Sequence, residues 1–132
     1  MTTVLFACVH NAGRSQMAAA LFNALANPAR ASAISAGTEP ADHVHPEVVL
    51  AMREIGIELE SAVPQRLTDD VAGSANILVT MGCGESCPVV PGAKRLDWEL
   101  QDPKGKHLDE VRGIRDVIKD HVVRLIQAEG LR

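Results

Sequence analysis

A short apolar run, Val4-Leu5-Phe6-Ala7, leads directly into Cys8-Val9-His10-Asn11-Ala12-Gly13-Arg14-Ser15 and then into an alanine-rich stretch from Gln16 to Ala26. This order predicts a buried strand, a tight loop and a helix, with the loop amides and the first helical turn aimed at one point. A tetrahedral anion fits such a place. The unpaired N–H groups and the positive end of the helix dipole attract it, Arg14 can hold two of its oxygens in a bidentate fork, and Gly13 permits close backbone approach. The oxyanion-binding residues are therefore expected to be Val9, His10, Asn11, Ala12, Gly13, Arg14 and Ser15, with Cys8 as nucleophile at the floor.

The same field acts on the thiol. At a helix N-terminus beside a guanidinium, a Cys is expected to titrate at roughly 3.5 to 7.5 against about 8.5 for the free side chain, so Cys8 should be a thiolate at neutral pH. Ser15 can hydrogen-bond that sulfur or cap the helix. Asn11 suits a left-handed loop position or can tie the loop through its amide, and His10 is expected to brace the loop or face solvent.

The chain of 132 residues, 46% hydrophobic, supports one ordinary core, and a single domain over 1–132 is expected. Its formal charge of −4 argues against a nucleic-acid or anionic-membrane surface, so anion binding has to come from local geometry. The opening apolar run is too short for a membrane span or a signal sequence, and a cytoplasmic location is expected. Thiols are mostly reduced there, which favours chemical over structural roles for the three cysteines.

Further strands are predicted over Ala31 to Ala36, Asn76 to Met81 and Ala93 to Trp98, and helices from Pro46 to about Ile55, near Thr68 to Ala72, and from about Leu108 to Ala128. In the last helix, Val111, Ile114, Ile118, Val122 and Leu125 form a core-facing stripe. The alternation predicts an α/β fold: a four-stranded parallel sheet between helical layers, with chemistry at the carboxyl ends of its strands.

Two more loops should reach that rim. Gly82-Cys83-Gly84-Glu85-Ser86-Cys87-Pro88 holds the other two cysteines between glycines. A zinc site needs about four ligands, and only Cys8 and scattered histidines could complete it, so a redox role is preferred and no metal is expected. A thiol from this loop could attack a Cys8 adduct or form a disulfide with Cys8. The loop after Trp98 carries Asp102-Pro103, and a carboxyl near an oxyanion and a thiolate suits a general acid. Asp97 and Glu99 are weaker rivals, the first within the predicted strand and the second without a loop restraint.

Cys8 to Ser15 resembles the anion loop of the low-molecular-weight tyrosine phosphatases and the arsenate reductases that share their fold, and Asp102-Pro103 looks like their general-acid loop. Gln16-Met17-Ala18, the Cys83/Cys87 pair and Val111 to Asp116 are similar to the thioredoxin-coupled arsenate reductases. The resemblance implies a flavodoxin-like three-layer sandwich and a reaction in which Cys8 attacks arsenate and Asp102 protonates the leaving oxygen. Cys83 then attacks Cys8 to release arsenite, and Cys87 carries the disulfide outward to thioredoxin. It implies no tightly bound cofactor, only an external thiol reductant. This chain departs from the family by having Gly13 where several members carry a further Cys, and by a shorter spacing between its redox cysteines. A small thiol with a glutaredoxin-like protein is an alternative reductant. Low-molecular-weight phosphatase activity is an alternative function, although an ester hydrolase has no use for the second and third thiols and this chain has no Tyr to wall a phosphotyrosine pocket. A sensor that captures trivalent arsenic is a non-enzymatic reading.

Overall fold

The computed structural model describes residues 1–82 and 89–132. Among these residues, strands β1 (Thr2–Cys8), β2 (Ala31–Gly37), β3 (Ile77–Thr80) and β4 (Lys94–Asp97) alternate with helices α1 (Arg14–Leu25), α2 (Pro46–Arg53), α3 (Asp69–Gly73) and α4 (Leu108–Glu129). The strands form one sheet in the order β2-β1-β3-β4, and every neighbouring pair is parallel. This is the predicted α/β architecture. Cys8 pairs with Gly37, Ala7 with Thr80 and Thr80 with Asp97, so all four strands end at one rim.

Boundaries shift by a residue or two for local reasons. Helix α1 starts at Arg14, because the Gly13 carbonyl already accepts from the Met17 N–H at 3.0 Å. Pro46 opens α2 as expected, but the helix stops at Arg53 and the chain leaves through Gly56 at φ 82°. Thr68 caps α3, its hydroxyl accepting from the Val71 N–H at 3.2 Å.

The covering layers are unequal. Val4, Phe6 and Cys8 of β1 face the larger cluster, which α1, α2 and α4 fill with Met17, Phe22, Met52, Ile118 and others. Leu5 and Ala7 face a smaller cluster under α3 with Ala36, Ala72, Ala75 and Leu78. The α4 stripe packs as predicted: Val111, Ile114, Ile118, Val122 and Leu125 are all buried. Each such side chain contributes about 1.5–3 kcal/mol through removal from water. No helix among the described residues is long and apolar enough to cross a membrane.

One charged residue is built into the larger layer. Arg115 of α4, 8% exposed, donates through Nη1 to the Ala51 carbonyl at 2.7 Å near the end of α2 and to Glu54 at 3.0 Å, while its Nε donates to Asp116 at 2.9 Å. Glu54 also receives Arg112, which is foremost in holding its carboxyl below the usual range. A folded-state value below the unfolded one means that this contribution is present above the ordinary Glu value and fades as the pH falls through the folded one. Replacement of Arg115 by Ala leaves the Ala51 carbonyl without its bond and removes one of the two arginine ties between α4 and the end of α2. Urea unfolding of Arg115→Ala should show a loss of about 1–3 kcal/mol with an unchanged slope.

Candidate active site

The loop after β1 is held from outside by the segment that follows β2. Thr38 N–H donates to the Cys8 carbonyl at 3.1 Å, Glu39 to Val9 at 2.8 Å, Ala41 to His10 at 2.9 Å and His45 to Ala12 at 3.0 Å. The Asn11 carbonyl accepts from Gln16 Nε2 at 3.1 Å. In a trans peptide the C=O of one residue and the N–H of the next point opposite ways. Carbonyls tied outward at Cys8, Val9, His10 and Ala12 therefore turn the amides of Val9, His10, Asn11 and Gly13 inward. One of these is already engaged, for the Asn11 N–H donates to Cys8 Sγ at 3.2 Å.

Gly37 makes this possible. A Cβ there would lie 2.6 Å from the Val9 carbonyl oxygen and 2.9 Å from the Asn11 nitrogen, so only glycine lets β2 run this close to the loop. Asn11 is fully buried and left-handed at φ 51°, and it also ties the loop through its amide, so both readings of this residue hold. Its Nδ2 donates to Ser15 Oγ at 2.8 Å, and its Oδ1 accepts from Gln65 N at 2.9 Å and from Gln16 Nε2 at 3.2 Å. Ser15 does not cap the helix. Its hydroxyl lies 2.8 Å from Cys8 Sγ, and with Asn11 donating to its oxygen it can direct its own proton at the sulfur. Cys8 is a free, buried thiol with two donors in reach, an arrangement that suits a thiolate acceptor. His10 braces the loop through Nδ1 and the Glu39 carbonyl at 3.0 Å.

Arg14 opens α1, its side chain mostly buried. Its Nη1 reaches the Leu100 carbonyl at 3.4 Å, and its Nη2 lies 3.7 Å from Asp102 Oδ2. Asp102 is about half exposed, and its Oδ1 accepts from the Lys104 N–H at 3.0 Å, which closes the Asp-Pro turn. The structure thus brings Asp102 to the anion loop. Asp97 is occupied elsewhere: it receives Thr80 Oγ1 in a short hydrogen bond and Arg95 Nε at 3.1 Å, and chiefly the Thr80 bond holds its carboxyl below the usual range. Trp98 stacks on His121 with centroids 4.9 Å apart and tilts against Phe6 at 5.6 Å, which makes it a packing residue. Cys83 and Cys87 lie outside the described residues.

Several contacts of the site were not marked by the sequence. Gln16 crosses from α1 to the Asn11 carbonyl, and Gly37 and His45 buttress the loop. Gly82, at φ 91°, lies where a Cβ would come within 2.8 Å of Arg14 Nη1. Only its position after a rim strand hinted at this. Gly82→Ala should push the guanidinium aside and weaken phosphate or arsenate binding at least about tenfold in calorimetric titration, the loss expected when a charge-assisted fork is misplaced. Unchanged affinity would mean that Arg14 does not depend on this backing.

Comparison with known proteins agrees with the geometry. The family model of the low molecular weight phosphotyrosine protein phosphatases matches residues 3–131. An arsenate reductase-like protein of Halobacterium salinarum is 41% identical over 125 residues, 91% of this chain and 87% of that one. A glutaredoxin arsenate reductase of Synechocystis is 30% identical over 96% of this chain and 97% of its own length. The solved structure of a thioredoxin-dependent arsenate reductase of Corynebacterium glutamicum superposes with a TM-score of 0.84 at 39% identity; it covers 97% of this chain, which spans only 61% of that longer protein. With a model match along almost its whole length, and a buried cysteine, an arginine and a loop scaffold in place, the chain belongs to the low molecular weight phosphotyrosine protein phosphatase family and groups within it with arsenate reductases.

Proposed function

We propose that this protein reduces arsenate to arsenite. The observation that carries the reading is the Cys8 sulfur at the floor of a loop whose carbonyls are tied outward, in a chain that has two further thiols directly after the neighbouring rim strand. The inward amides and Arg14 bind the tetrahedral oxyanion, and Cys8 thiolate attacks arsenic. Asp102 gives its proton to the departing oxygen, which leaves as water, and a Cys8 sulfur–arsenic bond remains.

Cys83 thiolate then attacks the Cys8 sulfur. The electron pair of the sulfur–arsenic bond stays on arsenic, which leaves as arsenite, and a Cys8–Cys83 disulfide holds the two electrons' worth of oxidation. Attack of Cys87 on Cys83 frees Cys8 and leaves a Cys83–Cys87 disulfide for an external dithiol protein to reduce. This cycle needs no resident cofactor and runs in a reducing compartment such as the cytoplasm. Thioredoxin is the first choice of reductant, after the Corynebacterium relative. The likeness to the Synechocystis glutaredoxin arsenate reductase favours a second route in which a small thiol joins the cycle and a glutaredoxin-like protein completes it.

The test is arsenate-dependent NADPH oxidation with arsenite measured directly, run in parallel with thioredoxin and with a small-thiol–glutaredoxin system. Cys8→Ser should abolish turnover, and Cys83→Ser and Cys87→Ser should each remove multiple turnover. Asp102→Asn should slow turnover by about a hundredfold. Undiminished multiple turnover in Cys83→Ser would sink the disulfide relay, and absence of arsenite from the wild type with both systems would sink the reductase.

A further inference from the structure

Asp102 has a weak hold on its own position. Its oxygens meet the Lys104 N–H of the same turn at 3.0 Å and, at 3.7 Å, an arginine that an oxyanion would engage. The loop is seated elsewhere. Gly13 and Pro103 approach so closely that a Cβ on Gly13 would lie 2.5 Å from Pro103 Cγ and 3.3 Å from its Cδ, and the same point is 3.5 Å from Cδ2 of His45. Acid loop and the start of α2 therefore both meet the anion loop at Gly13.

His45 is itself firmly placed. Its N–H donates to the Ala12 carbonyl at 3.0 Å, and its own carbonyl accepts from Val48 at 3.0 Å and Val49 at 3.1 Å as α2 begins. Its ring is partly buried and close enough to feel Asp102. Burial is the largest influence and pushes the imidazole below its ordinary value; Asp102 and Glu47 pull it up, and Lys104 and His10 push it down. Burial disfavours its charged form, so the ring acts by shape rather than by charge.

We infer that His45 is a positioning residue: with the bare backbone of Gly13, its ring seats Pro103 and so holds Asp102 over the anion loop when the oxyanion takes Arg14. This rests on Asp102 being the acid of the proposed reaction. A side chain at position 13 is incompatible with the seat, because it would occupy the space of the Pro103 ring. A misplaced acid slows the covalent step and leaves ground-state binding of the anion to the loop amides and Arg14 unaffected.

The experiment is single-turnover loss of titratable thiols on mixing reduced protein with arsenate, without an external reductant, as a function of arsenate concentration. His45→Ala should lower the saturating rate about tenfold while the half-saturating arsenate stays within about twofold, and Pro103→Ala should do the same. His45→Phe, which keeps a flat ring at the seat, should restore the rate to within about twofold of wild type. The His45→Ala/Pro103→Ala double variant should be no slower than the worse single one, because both remove one contact. A normal rate in His45→Ala, or equal loss in His45→Phe and His45→Ala, overturns the inference, and a slow Asp102→Asn beside a normal His45→Ala overturns it while sparing the acid. An unaffected Asp102→Asn overturns the acid assignment and the seat together. If arsenate consumes no thiol in the wild type, the reductase reading fails separately; the same five variants are then compared on hydrolysis of phenyl phosphate, whose poor leaving group demands an acid, with the same pattern supporting the seat and its absence overturning it.

Discussion

The row of hydrogen bonds from Thr38, Glu39, Ala41 and His45 to the carbonyls of the anion loop is the constraint on which the site depends. An isolated loop of this kind would turn its amides to water. Here each carbonyl bonded outward fixes the peptide plane, and with it the next amide, before any anion arrives. The donors of an oxyanion site are worth most when they need not reorganise, and this arrangement removes that cost in advance. The row exists because β1 and β2 are parallel neighbours in register from Thr2↔Ala31 to Cys8↔Gly37, so that the chain leaving β2 runs along the outside of the loop leaving β1.

A second set of contacts works from within. Asn11 is the hub: its backbone adopts the left-handed turn, its amide faces Cys8, and its side chain joins Ser15, Gln16 and the Gln65 backbone. The end of β1, the start of α1 and the segment around Gln65 thus converge on one buried residue, and so polar a cluster is tolerated because no buried side-chain polar atom among the described residues is left without a partner. The unequal layers serve the same end. Three helices and the larger apolar cluster support the Cys8 face of β1, while the short α3 suffices on the other.

Electrostatics divides the acidic residues near the rim into different roles. Asp97 is committed to Thr80 and Arg95 and locks β4 to β3. Asp102 stands half exposed beside Arg14, with the freedom to meet a substrate. The glycines divide in the same way: Gly37 and Gly82 lie where a Cβ would strike loop backbone or guanidinium, and Gly56 simply turns the chain after α2.

The fold class and the place of the Cys8 thiol at the floor of the loop could be read from the sequence because both rest on local signals. The run Val4 to Ala7, the spacing from Cys8 to Arg14, the apolar stripe of α4 and Pro46 at a helix start all act within a few residues of themselves. Asp102 was also legible, through its Asp-Pro turn on a loop that a parallel sheet must deliver to the rim. The sequence could not reveal that Gly37 buttresses Val9, that Gly82 backs Arg14, that Gln16 and Gln65 complete the Asn11 hub, or that Pro103 and His45 both approach Gly13. Those contacts join residues 26 to 90 positions apart or depend on which way a buried side chain turns. They arise only when strand register and helix packing place separate segments within van der Waals distance, and no pattern along the chain encodes that distance.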